Sequence, residues 1–202
     1  MQVYHDEAEQ QRLQSMRRAH PWTTTVNAEG GRYVDFKGHP ELISATLEDL
    51  QPFAGTAIEA TTVDFIAWAN SDASKLETND FALSIGLNTS QQSTAKLQLF
   101  GRFSLLFRDL ADNLDPSIFG PFVYGAEQQL RLSDPDFAAA VWGWCVWPHR
   151  FIDLDRPEEP ANGACFLYRV WGWGDTQADV GEAYGRAVRN LHAALVAAVN
   201  FI

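Results

Sequence analysis

Hydrophobic positions near the C-terminus repeat with the period of an α-helix. From Val180 to Ile202 apolar side chains recur every three or four residues and form one stripe over about six turns. Gly181 and Gly185 lie one turn apart in this segment, and each costs about 1 kcal/mol relative to alanine in a helix interior. The pattern predicts a long C-terminal helix that lies across a sheet, with another element close to the two glycines.

Strand signals concentrate in the middle and in the last third of the chain. Apolar residues alternate with small ones over 81–87, which predicts a strand with one buried face. The β-branched and aromatic run 61–69 predicts an antiparallel partner for it across a long connection. The run Val-Trp-Gly-Trp occurs at 141–144 and again at 170–173, which predicts a pair of related strands.

Four further segments carry weaker signals. Residues 103–114 show apolar spacings of three and four before Pro116, which favours a helix, although Leu97, Leu99 and Phe103 also fit a strand. We further expect a weakly amphipathic helix over 5–19, a short strand over 33–36, a helix from Pro40 to Pro52, and a short helix that starts at 133–136 and runs through 138–140.

Together these elements predict the α+β class. We expect a single domain over residues 1–202, because 202 residues is an ordinary domain length. It would contain a mostly antiparallel sheet with a long C-terminal helix and two or three further helices packed on it. Residues 1–20 would contribute a peripheral helix.

The charge of the chain narrows the classes of partner. The formal net charge is −11, and no Lys/Arg cluster exceeds the pair Arg17–Arg18. Nucleic-acid binders need a basic face to displace counterions, so no nucleic-acid partner is expected. No apolar run reaches the roughly 18–20 residues of a membrane span, so no membrane partner is expected either. Two cysteines and a polar, acidic N-terminus favour a reducing cytoplasm.

Catalytic and metal-binding motifs are not found. The sequence has no G-x-S-x-G, H-E-x-x-H, G-x-G-x-x-G or phosphate-binding loop motif. Cys145 and His149 would lie about 13 Å apart along a strand, which disfavours a nucleophile pair. Both Cys145 and Cys165 have apolar neighbours in the sequence, so we expect them to be buried free thiols. By its spacing, His192 is expected on the exposed side of the last helix. We therefore predict no catalytic residue, no cofactor and no metal site.

The two Trp-Gly-Trp runs are the first candidate binding feature. Residues i and i+2 of a strand share a face, so Trp142 pairs with Trp144 and Trp171 with Trp173. If the two strands pair, the four indoles would form one aromatic patch, and each intervening glycine would leave the backbone open to a helix or ligand. The patch is either the main core or an exposed platform for a sugar ring or a protein partner.

The segment between the two runs is the second candidate. It is predicted to be a long loop over 148–163 that carries Asp153, Asp155, Glu158 and Glu159, since Pro157 and Pro160 disfavour regular structure. An acidic loop beside an aromatic patch would suit a basic protein surface, although such a loop is also compatible with simple solvation.

In overall character the chain resembles the immunity proteins of bacterial toxin–immunity systems, on the strength of its two Trp-Gly-Trp runs and the acidic residues of 153–159. The resemblance implies a non-catalytic cytoplasmic protein that occludes the active site of a cognate, basic toxin. Two alternatives stay open: a saccharide- or small-ligand-binding protein or enzyme that uses the tryptophans, and a self-assembling structural subunit.

Overall fold

The computed structural model describes residues 1–14, 18–21, 34, 36–37, 39–152 and 158–199, and for 18–21 it describes the backbone alone. Four expectations therefore lie wholly or partly outside the described residues. They are the end of the helix predicted over 5–19, the strand over 33–36, the acidic residues Asp153 and Asp155, and the last residues of the C-terminal stripe.

In the described part of the chain, six strands form one sheet. They are β1 (Gln2–His5), β2 (Arg18–Pro21), β3 (Leu76–Leu87), β4 (Leu97–Phe107), β5 (Ala140–Ile152) and β6 (Ala161–Gly174). The sheet order is β1-β5-β6-β4-β3, and β2 also pairs with β5. The four long strands pair with one another in antiparallel fashion, whereas the two short N-terminal strands run parallel to β5.

Six α-helices and one 3-10 helix accompany this sheet in the described residues. They are α1 (Glu7–Gln14), α2 (Leu42–Thr46), the 3-10 helix Glu48–Phe53, α3 (Ala57–Asn70), α4 (Leu110–Leu114), α5 (Pro116–Ser133) and α6 (Gln177–Ala198). None of these helices has the length and apolar character needed to cross a bilayer. The α+β class with a mostly antiparallel sheet and a long C-terminal helix is confirmed.

The helices cover the two faces of the sheet unequally. On one face, here called the helical face, α3, α5 and α6 pack over rings such as Phe103, Trp142 and Phe166. On the opposite face, here called the second face, α1 contributes Leu13 to a smaller cluster with Cys145 and Leu167. The main core therefore lies between the helical face and the three long helices.

The C-terminal helix forms as the sequence predicts. Thr176 caps α6 by accepting a hydrogen bond from the backbone N–H of Asp179, whose carboxylate accepts one from the Thr176 N–H in return. The predicted close approach at the two glycines is also found. A Cβ at Gly181 would lie 3.4 Å from Ile58, and one at Gly185 would lie 3.5 Å from Thr61, both on α3.

The predicted strand over 61–69 is wrong, because this segment lies within α3. Ile58, Thr62, Phe65, Ile66 and Ala69 are buried at helical spacing, and Thr56 caps the helix at its N-terminus. The β-branched content costs only a few tenths of a kcal/mol per residue in a helix, which burial of the apolar face outweighs. The partner of β3 is instead β4.

The helix predicted over 103–114 forms only in its last part. Residues up to Phe107 continue β4 in the centre of the sheet, and Leu110–Leu114 is helical. This short helix ends before Pro116 as expected, and Pro116 then starts α5, since proline at the first helical position has no N–H to satisfy. The segment 133–136 ends α5 instead of starting a helix, and 140 already belongs to β5.

The N-terminal expectations are met in part. The helix predicted over 5–19 is shorter, because Gln2–His5 pairs with β5 as a strand before α1 begins at Glu7. The helix predicted from Pro40 forms over Leu42–Thr46, and a 3-10 helix then continues through Pro52.

Candidate protein-binding surface

The two Trp-Gly-Trp runs lie on neighbouring strands but on opposite faces of the sheet. In the β5–β6 register, Trp142 stands opposite Val170 and Trp171 stands opposite Val141. The pairing is displaced by three residues from the register that would place Gly143 opposite Gly172, and an odd displacement puts the two tryptophan pairs on opposite faces. The single patch of four indoles expected from the sequence does not form.

The first run faces the helices. Trp142 is fully buried, and its Nε1–H donates a 3.2 Å hydrogen bond to the carbonyl oxygen of Ala187 in α6. Trp142 therefore belongs to the core and offers no surface to a partner. Trp144 is partly exposed beside α5, where its Nε1–H donates to Glu127 at 3.0 Å and its indole stacks on His5 with ring centroids 4.5 Å apart.

The second run faces away from the main core. Trp173 is buried, whereas Trp171 is partly exposed. Phe100 is the direct register partner of Trp171 on β4, with ring centroids 5.6 Å apart. Tyr4 of β1 stacks on the same indole at 6.2 Å with an interplanar angle of 22°. Tyr4, Phe100 and Trp171 are all partly exposed and form what we call the ring cluster.

Gly143 makes the ring cluster possible. A Cβ at this position would lie 3.0 Å from Cζ and Oη of Tyr4 and 3.1 Å from Cζ3 of Trp171. The two rings thus meet over backbone that carries no side chain. The expectation that the glycine of each run admits another group is met at both positions, since the backbone nitrogen of Tyr184 in α6 lies 3.5 Å from a Cβ at Gly172.

An ion-pair network borders the ring cluster. The guanidinium of Arg169 lies 5.1 Å from the centroid of Trp171, pairs closely with Asp6, and lies 3.4 Å from Glu9. Burial lowers the pKa of Arg169, and burial raises the pKa of the Tyr4 hydroxyl. Because these groups are partly buried and paired, the network holds Arg169 against the indole and limits the motion of the rings.

Glu158 and Glu159, the acidic loop residues that the structure describes, lie far from the ring cluster. They are exposed between β5, which extends to Ile152, and β6, which begins at Ala161, so the loop predicted over 148–163 is shorter than expected. Asp153 and Asp155 lie outside the described residues. Trp171 lies ten residues beyond Ala161, which corresponds to about 33 Å along a strand. These two glutamates and the ring cluster therefore do not form the adjacent pair of features that the sequence predicts.

A thiol–imidazole contact that sequence reasoning missed lies on the second face. Sγ of Cys165 is 3.3 Å from Nδ1 of His149, and Nε2 of His149 is 2.8 Å from the amide nitrogen of Asn79. Along the chain, Cys145 is the cysteine nearest to His149, so the sequence points to Cys145 and not to Cys165. The pairing of Trp147 with Cys165 brings His149 close to Cys165 across the hairpin.

This contact does not constitute an active site. Cys165 and His149 are both fully buried, so no substrate reaches Sγ in this structure. Burial also raises the pKa of the Cys145 thiol to about 12. In the described residues no group of three or more His, Cys, Asp or Glu side chains is arranged to hold a metal ion.

His192 departs from its expected exposed position. Its ring centroid lies 4.1 Å from that of Trp68, and the side chain is partly buried between α3 and α6. Burial lowers its pKa.

No family model, curated protein or solved structure matches this chain. The function is therefore inferred from the site itself.

Proposed function

We propose that this protein acts by binding another protein, and that the ring cluster is the centre of the contact surface. The observation that carries the proposal is the arrangement of Tyr4, Phe100 and Trp171. Three rings from three different strands form one partly exposed layer on the sheet.

The ring cluster has the features of a binding hot spot. Tryptophan, tyrosine and arginine are the residues that most often dominate the energy of a protein interface. Here they are held in place before binding, by the strand register and by the ion pairs of Arg169 with Asp6 and Glu9. A rigid aromatic surface loses little conformational entropy on association, which favours affinity.

The net charge of −11 favours a basic partner. A spread negative charge raises the rate of encounter with a positively charged protein and makes that rate sensitive to salt. The exposed acids Glu158 and Glu159, with Asp153 and Asp155, would act in this long-range attraction, at the end of the hairpin away from the rings.

Within this class we propose an immunity protein that neutralises a cognate toxin by covering its active site. The support is the resemblance in overall character, together with a preformed aromatic surface and an acidic net charge. The tryptophans that would contact the toxin are Trp171 and, at the edge of the helical face, Trp144, which are the partly exposed members of the two runs.

The experiment pairs the protein with the products of the genes that flank its own. Each neighbour is purified, mixed with the protein at moderate salt and measured by isothermal titration calorimetry, and its toxicity is scored with and without co-expression of the protein. The proposal expects one neighbour to bind and to be toxic only in the absence of this protein. Binding without protection would overturn the immunity role alone, and no binding by any neighbour would overturn the proposal as a whole.

A further inference from the structure

A cavity lies between the N-terminal turns of α3 and α6, away from the ring cluster. Its volume is about 570 Å³, and Phe53, Ile58 and Ile85 contribute much of its apolar lining. Small-molecule sites are concave, mostly apolar and typically about 300–1,000 Å³ in volume. The cavity therefore has the size and character of such a site.

The two glycines of α6 create this cavity. Gly181 and Gly185 both line it, and any larger residue would project a side chain into the space between the helices. Glycine destabilises a helix interior relative to alanine at each of the two positions, so leaving this space open lowers the stability of α6. Behind the cavity, the hydroxyls of Thr62 and Tyr184 hydrogen-bond at 2.8 Å and fix the distance between α3 and α6.

Charge is distributed unevenly along the cavity. Glu182 and Arg189 are its two charged lining residues, and they are seven positions apart on α6, which corresponds to about 10 Å along the helix axis. A guanidinium nitrogen of Arg189 lies 3.2 Å from the Cβ position of Gly185, so the arginine side chain folds back over the glycine and reaches the cavity wall. Among the described residues, Arg189 has no acidic or hydrogen-bonding partner.

We propose that this cavity binds a small molecule with an apolar body and one carboxylate group. The apolar body would contact Ile58, Phe53 and Ile85, and the carboxylate would accept two hydrogen bonds from Arg189. Such bidentate pairs are among the strongest hydrogen bonds that arginine makes. Glu182 at the other end repels a second anionic group, so the site selects a monocarboxylate over a dicarboxylate.

The test uses 4-phenylbutyrate as the probe and 4-phenylbutan-1-ol as its uncharged counterpart. Binding to the full chain is measured by isothermal titration calorimetry and by saturation-transfer NMR. The proposal expects the carboxylate to bind about tenfold or more tightly than the alcohol, since a hydrogen bond to a charged group contributes about 1.5–3 kcal/mol.

Three variants connect that binding to the cavity. Arg189→Gln should weaken 4-phenylbutyrate about tenfold and leave the alcohol unchanged. Ala178→Phe, at an exposed lining position in the first turn of α6, should abolish binding of both probes by filling the space. Arg186→Gln removes a positive charge from the same helix outside the cavity and should bind both probes as the wild type does.

Circular dichroism verifies that each variant is folded before its binding is interpreted. The proposal is overturned if the carboxylate does not bind at millimolar concentration, if the alcohol binds equally well, or if Arg189→Gln and Arg186→Gln behave alike. Because none of these residues belongs to the ring cluster, either result leaves the protein-binding proposal to its own experiment.

Discussion

The ring of Tyr4 lies nearly parallel to the indole of Trp171, with centroids 6.2 Å apart, across the bare backbone of Gly143. These two side chains come from opposite ends of the chain and from strands that are not neighbours, since β5 lies between them. The contact depends on a missing side chain in the strand that separates them. It joins the N-terminal strand to the centre of the sheet and completes the ring cluster.

Gly143→Ala is expected to disrupt this contact. The added Cβ would lie 3.0 Å from Tyr4 and 3.1 Å from Trp171, so at least one ring must move, at a cost of about 1 kcal/mol in the free energy of unfolding. Guanidinium unfolding measures the loss, and tryptophan fluorescence reports the altered environment of Trp171.

The matched control is Gly86→Ala in β3. A Cβ there meets nothing within 4 Å, so the substitution should leave stability unchanged or raise it slightly by restricting the unfolded chain. Equal behaviour of the two variants would show that the space over Gly143 is not needed by the rings.

Both cysteines are expected to be unreactive in the folded protein. Cys165 is fully buried, so a reagent in solution does not reach its sulfur. Burial raises the pKa of the Cys145 thiol to about 12, so Cys145 presents no thiolate near neutral pH. Labelling with a chromogenic disulfide should report no thiol in buffer and two in guanidinium chloride. A thiol that reacts in buffer as fast as a free cysteine would contradict the buried placement.

Stability is expected to fall in mildly acidic solution through His192. Burial against Trp68 lowers the pKa of this imidazole in the folded state, so the unfolded chain binds the proton more readily. The contribution to the free energy of unfolding is therefore complete above about pH 6.5 and is lost as the pH falls from there through the lower folded-state pKa.

His192→Gln removes the titrating group. Urea unfolding at several pH values between 8 and 5 should show a shallower decline for the variant than for the wild type. Parallel curves over this range would mean that His192 does not contribute to the acid sensitivity.

The sequence predicted correctly the elements in which the repeat of hydrophobic positions matches a single buried face. The stripe of α6 and the alternation of β3 each have one buried face, so pattern and structure coincide. The β-branched and aromatic composition of α3 predicted a strand, but the segment is a helix. The intrinsic secondary-structure preference of these residues contributes less free energy than the packing of their buried face. In β4 the spacing of Phe103 and Phe107 fits both a helix and a strand, and the strand forms because it lies between β3 and β6.

The candidate site could be predicted only in part, because the sequence does not determine the register between β5 and β6. The sequence identifies Trp171 and the glycine-interrupted strands, but the single patch of four indoles that it predicts requires a register with both tryptophan pairs on one face. The actual partner of Gly143 is Arg169, and this register separates the two tryptophan pairs by the thickness of the sheet. The register depends on how the whole hairpin packs and cannot be read from the two strands alone. For the same reason, the sequence does not predict the contact between Cys165 and His149.

The central claim is that the ring cluster binds a protein, and the dissociation constant of a Trp171→Ala variant tests it most directly. Calorimetric titration against the flanking-gene product that binds the wild type should show affinity weakened by about 30-fold or more, as expected for a hot-spot tryptophan. Tyr124→Ala, which removes a 66% exposed ring from α5, should bind like the wild type. If the folded Trp171→Ala variant retains full affinity while Tyr124→Ala loses it, the contact surface lies elsewhere and the claim is contradicted.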